Sequence, residues 1–211
     1  ATSNNLRSLA TLLQAAPDNA ARRPLWSAVL QGWKEQPATV AASFAATAQQ
    51  HEFSQVVSAA WNAAPNDLVL TALAVALKHQ PAFDSVIREA FRDSSDVSRR
   101  VELLELLAGT NNPVLADPAQ RLVQSEQPVP VRQTALKSLA RFENPDVTTC
   151  LIGLLTSTSN TSSGLHSQIR SILFSRPTSA RVLLTAVERG DIKAESISLQ
   201  QVRQVALLND T

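Results

Sequence analysis

Methionine is absent from the 211 residues, and cysteine occurs once, at Cys150. One thiol can form neither an internal disulfide nor a cysteine-based metal cluster. It leaves the compartment open, because secreted proteins without disulfides are common. The absence of Met, with Ala1 at the start, points to a chain taken from a longer one. The five glycines, at 32, 109, 153, 164 and 190, each stand alone. Neither a phosphate-cradling loop nor a dinucleotide fingerprint can be built from them. No apolar run approaches the roughly 20 residues that a membrane-spanning helix needs, and no basic-then-apolar leader opens the chain. Charge is sparse and balanced, with 19 Lys plus Arg against 18 Asp plus Glu. No net field therefore draws nucleic acid, membrane or acidic ligands.

The sequence does carry apolar residues at helical spacing from end to end. Leu6, Leu9, Ala10 and Leu13 begin the series, and Trp26, Val29, Leu30 and Trp33 repeat it. Phe53, Val56, Val57 and Ala60 continue it, as later do Ala180, Leu183, Leu184 and Val187, then Leu199, Val202 and Ala206. Period-two alternation is not sustained anywhere. The eleven prolines are expected between helices or in first helical turns, where a missing N–H costs nothing. Asn66-Asp67, Asp96, Asp117-Pro118, Asn144-Pro145 and Ser163 read as N-cap regions. Residues 68–77, LVLTALAVAL, are apolar on every side and predict a helix held between two neighbours.

Many short helices imply a stacking repeat. Setting Val131-Arg132 against Ser98-Arg99 gives an offset of 33 residues and places Leu136 on Leu103. The expected fold is all-α, a right-handed α-α superhelix (HEAT/ARM-like solenoid) of about twelve short helices over 1–211. Residues 1–65 are divergent, 66–175 hold the clearest repeats and 176–211 form terminal helices.

Residues 129–155, with Val131, Arg132, Ala135 and Leu139, the turn Asn144-Pro145-Asp146 and a second helix ending Leu-Ile-x-Leu-Leu, resemble a HEAT repeat. In that family the arginine commonly pairs with an acid of a neighbouring repeat, which implies a structural Arg132. The resemblance covers about 96–175 and fades before residue 66. A narrower one lies in Ile172–Pro177, Ala180, Leu183-Leu184, Ala186-Val187-Glu188, Gly190-Asp191-Ile192 and Gln201-Val202-Arg203. These resemble the end of the HEAT region in large exported bacterial proteins that join a sugar-dehydrogenase-like β-propeller to a cytochrome c-type haem module. That likeness implies an exported or periplasmic, membrane-associated, dehydrogenase-like parent, with any haem beyond Thr211, because haem attachment needs Cys-x-x-Cys-His.

Candidate chemistry is thin. His51, His79 and His166 are more than 25 residues apart and lack a second ligand at metal-site spacing. Asp93-Ser94-Ser95-Asp96 lacks the glycine and remaining ligands of a calcium loop and reads as capping. Glu102 and Glu105 lie one turn apart on a polar face with no matching cleft. Trp26, Trp33, Trp61, Phe44, Phe53, Phe83 and Phe91 have the spacing of core residues rather than of stacking platforms. Residues 156–164, TSTSNTSSG, read as a flexible loop containing a glycosylation-type Asn160-Thr161-Ser162. Arg170, Arg176, Arg181 and Arg189 are the one basic cluster and the surface patch to test. The expected function is a non-catalytic scaffold for protein or interdomain contacts, with no cofactor and no identified small-molecule ligand. The alternative is a HEAT-like nucleic-acid binder, although balanced charge gives no expectation of nucleic acid.

Overall fold

The computed structural model describes residues 3–49, 52–93, 96–157 and 163–208. They form thirteen α-helices: α1 (Ser3–Ala15), α2 (Asn19–Lys34), α3 (Ala38–Gln49), α4 (Glu52–Ala63), α5 (Leu68–Ala76), α6 (Gln80–Ala90), α7 (Val97–Ala108), α8 (Ala116–Gln124), α9 (Val129–Leu139), α10 (Pro145–Thr156), α11 (Ser163–Phe174), α12 (Pro177–Glu188) and α13 (Leu199–Leu208). Short 3-10 turns occupy Pro113–Leu115 and Ala194–Ser196, and no strand occurs among the described residues. The fold class is all-α solenoid, with one helix more than the expected dozen.

Polar residues set several of the helix starts. Asp67 accepts from the Val69 and Leu70 N–H groups at 2.8 and 3.1 Å, Asp96 from Arg99 at 2.9 Å, and Asn144 from Asp146 at 2.9 Å ahead of Pro145. Asp117-Pro118 is not a cap. Asn112 caps the 3-10 turn at Val114 N–H, 3.1 Å away, and that turn runs directly into α8, leaving Asp117 inside its first turn. There its carboxylate complements the helix dipole. Pro24 also departs from expectation by lying inside α2. Asp18 starts that helix upstream by accepting from Ala21 N–H at 2.8 Å, so the exposed ring interrupts only one bond of the ladder.

The chain packs as two compact units, residues 1–89 and 90–211. In the first, α4 packs against α1, α3 and α5, and α5 also meets α2. This explains the apolar circumference of α5, where Leu70, Thr71, Leu73, Ala74 and Val75 are all buried. The core adds Leu6, Ala10 and Leu13 from α1 and Phe53, Val57 and Trp61 from α4. At the end of α5, Lys78 N–H bonds Val75 O and His79 N–H bonds Ala74 O, both at 2.9 Å. This closing motif calls for a left-handed residue, and Lys78 adopts φ 57°. A β-carbon there costs energy that glycine does not. Lys78→Gly should therefore stabilise the protein by about 1 kcal/mol, raising the thermal midpoint by about 2–4 °C. The same motif closes α12 at Gly190, φ 80°, with nothing within 4 Å of an added Cβ. Gly190→Ala should lower stability by about 1 kcal/mol through the backbone alone.

In the second unit α9 packs on α7 and α11, while α10 packs on α8 and α12. Two layers of stacked helices result, the arrangement of a helical repeat. The first-layer helices begin at residues 97, 129 and 163. The 33-residue alignment needs correcting by one: buried Leu103, Leu104 and Leu107 of α7 correspond to buried Ala135, Leu136 and Leu139 of α9, an offset of 32. One residue of slip turns a helix by about 100° and would bring exposed Lys137 onto buried Leu104. α13 packs on α11 and α12.

Candidate interaction surface

Several arginines that look available in the sequence are tied to backbone. The last turn of a helix leaves carbonyls without partners. In this chain the fourth residue of the following helix reaches back to them. Arg22 of α2 donates Nε to Leu13 O at 3.1 Å and Nη2 to Ala16 O at 3.0 Å. Arg100 of α7 donates Nε to Ala90 O at 3.1 Å, and Arg132 of α9 donates Nε to Val123 O at 3.0 Å. Arg132 is structural, as its resemblance implies, through a carbonyl. Of these three arginines, the one with an acidic neighbour among the described residues is Arg100, 3.7 Å from Asp93. Arg100 also takes the place in α7 that the sequence alignment gave to Arg99. Thr71 of α5 makes the short version, its hydroxyl donating toward Pro65 O at 3.2 Å and Asp67 O at 2.7 Å.

The four arginines of the candidate patch have different surroundings. Arg176 donates to Phe142 O and Ala140 O at 2.9 and 2.8 Å, closing the end of α9, with Nε 3.3 Å from Glu143. Arg170 is half-buried, and its Nε has no hydrogen-bond partner. Arg181 on α12 and Arg189 at its C-cap are exposed. Eight residues separate those two, which turns them about 80° apart around the helix. Glu188, exposed and seven residues from Arg181, lies nearly in line with it.

The remaining candidates that lie among the described residues have separate surroundings. His51 lies outside the described residues, as do Ser94, Ser95 and residues 158–162, which hold most of the serine-threonine loop and its Asn160. His79 follows the αL residue that ends α5 and meets Trp61 edge-on at 5.4 Å, its Nδ1 buried without a partner. His166 occupies the fourth position of α11, where α7 and α9 carry arginine, and its Nε2 is buried without a partner. Glu102 and Glu105 are both exposed. Cys150 is half-buried and accepts from Gln124 Nε2 at 3.3 Å. Burial raises its thiol pKa and the Gln124 bond lowers it less, so the sulfur stays protonated at neutral pH. Among the described residues no group of three His, Cys, Asp or Glu could hold a metal ion, and no helix is long and apolar enough to cross a membrane.

Apolar exposure identifies a different part of the second unit. Val182 is 47% exposed, Leu199 67% and Val202 48%, although the last two share helical spacing with core positions. On α12, Ala180, Leu183 and Ala186 face inward and Val182 stands about 100° from Leu183. Val182 is thus beside Arg181 on the solvent side. The sequence signal for it was its step out of the buried stripe. For Leu199 and Val202 there was none, since spacing defines a face and not whether another element covers it.

Residues 85–162 match the family model of HEAT repeats. No curated protein and no solved structure matches the chain. HEAT repeats generally act as protein-interaction scaffolds. The matched stretch contains α7 to α10 and lies outside both the alanine-rich first helices and residues 172–203.

Proposed function

We propose that the chain is a non-catalytic helical-repeat scaffold that docks a protein surface, or a neighbouring domain of a longer protein, on the outer side of α12 and α13. The exposure of Val182, Leu199 and Val202 carries this reading: three of the five exposed large apolar side chains described in the second unit belong to α12 and α13, the other two being Val114 and Val129. Exposed Arg181 adjoins Val182 in the chain, so charge borders apolar surface there, as at the polar edge of a docking patch. A photo-crosslinking residue at position 182 of the protein in its native extract tests it, with position 137 as an exposed control. A discrete product at 182 and none at 137 is expected. Identical products at both positions, or none at either, would refute the reading.

The likeness of residues 172–203 to exported dehydrogenase-like proteins would make that neighbour a haem module. A visible spectrum of the longer protein tests this extension separately, and a flat Soret region removes it. Nucleic acid is disfavoured by the same geometry, because Arg176 is committed to backbone and Glu188 stands in line with Arg181. A gel-shift titration at low salt, where phosphate contacts are strongest, should show no retardation.

A further inference from the structure

A cleft of about 660 Å³ opens within the first unit, in the range of about 300–1,000 Å³ typical of small-molecule sites. One wall is α4, whose Val56, Ala59, Ala60 and Ala63 present an apolar face two turns long, about 10 Å. Their small side chains create the space. Trp26 of α2 lines the cleft while being 5% exposed. Arg22 and Arg23 stand at the same cleft. Arg22 bonds Leu13 O and Ala16 O, and exposed Arg23 has no hydrogen bond or ion pair among the described residues. The opposing charge is Asp67, whose carboxylate is occupied in capping α5. The cleft therefore offers an apolar wall and two guanidinium groups against one carboxylate.

We infer that this cleft binds a small carboxylate-headed amphiphile, with its head on Arg23 and its chain along the alanine face of α4. An apolar chain gains from covering that wall, and an anionic head pairs with the Arg23 guanidinium where a cationic head would meet like charge. The inference concerns the first unit and stands apart from the docking face of α12 and α13. The test titrates the isotopically labelled full chain with dodecanoate and with dodecyltrimethylammonium, each below its micelle concentration, while following the tryptophan indole resonances. Dodecanoate should move the Trp26 resonance saturably and leave Trp33 in place, and the cationic probe should bind at least about fivefold more weakly. Arg23→Glu should reverse that order. Ala59→Leu should fill the cleft and abolish binding with the circular dichroism spectrum unchanged. Equal affinity for the two headgroups, an unmoved Trp26, or full binding by Ala59→Leu would each overturn the inference.

Discussion

Arg100→Ala is expected to lower the stability of the protein by about 3 kcal/mol, read as a shift of the urea midpoint at unchanged slope. The side chain is 1% exposed, and its guanidinium links three partners. Nε donates to Ala90 O at 3.1 Å, Nη1 to Gln127 Oε1 at 2.8 Å, and Nη2 lies 3.7 Å from Asp93 Oδ1. Gln127 in turn donates Nε2 to that same oxygen at 2.9 Å. Truncation leaves a cavity the size of a long side chain and removes the donor from a helix-end carbonyl. Coulomb attraction is the smaller part, because Asp93 is 77% exposed and water screens it. Arg100→Met separates the two larger effects. It keeps most of the volume and removes the desolvated charge, so it should cost only about 1 kcal/mol if packing dominates. A methionine variant as unstable as the alanine variant would assign the stability to hydrogen bonds instead. An alanine variant within about 0.5 kcal/mol of the parent would refute the structural role altogether.

The same device clarifies which arginines can serve function. A guanidinium carries five donors in a planar fork, suited to the divergent carbonyls of a helix end. Arg22, Arg100 and Arg132 all stand at the fourth residue of a helix and reach back over the preceding one. Each tie links consecutive helices. His166 holds the corresponding place in α11, with Nε2 unbonded among the described residues, so an imidazole stands where the repeat elsewhere places a guanidinium. Basic residues remaining for a partner are those outside first turns, such as Arg181 and Arg189.

The fold class was legible because it rests on period, and period survives substitution. The spacing of Phe53, Val57 and Trp61, or of Leu103, Leu104 and Leu107, identifies a buried face whatever lies opposite. Register was less legible. Arg99 and Arg100 are adjacent and chemically identical, and only the carbonyl of Ala90 distinguishes them. The α8 start was misread for a related reason: Asp117-Pro118 has the composition of a cap, while the turn beginning at Pro113 had already started the helical path. The candidate surface was least legible. Arg176 and Arg181 look equivalent in the chain, yet one closes α9 and the other faces solvent. Leu199 carries a core residue's spacing with no element over it.

Phe53→Ala should destabilise the first unit by about 4 kcal/mol, comparable to or larger than the effect of Arg100→Ala. The helices of this unit are rich in alanine, and α3 buries little beyond Ala45 and Ala48. Small side chains supply little apolar area at about 25 cal/mol per Å², so the few large ones carry most of the cohesion. Phe53 is 0% exposed. Its ring meets Phe44 of α3 edge-on at 6.4 Å, and Phe44 meets Trp33 of α2 edge-on at 5.0 Å. Three helices are therefore joined through one chain of rings, each contact adding roughly 0.5–1.5 kcal/mol beyond burial. Phe53→Leu keeps most of the volume and loses the ring edge, so it should cost about 1–2 kcal/mol. Hydrogen exchange gives the spatial check: amides of α3 and α4 should lose protection in Phe53→Ala before those of α9 and α10. Uniform loss across all four helices would mean that the unit does not depend on this ring chain, and a cost below about 1 kcal/mol would show that the alanine faces cohere without it.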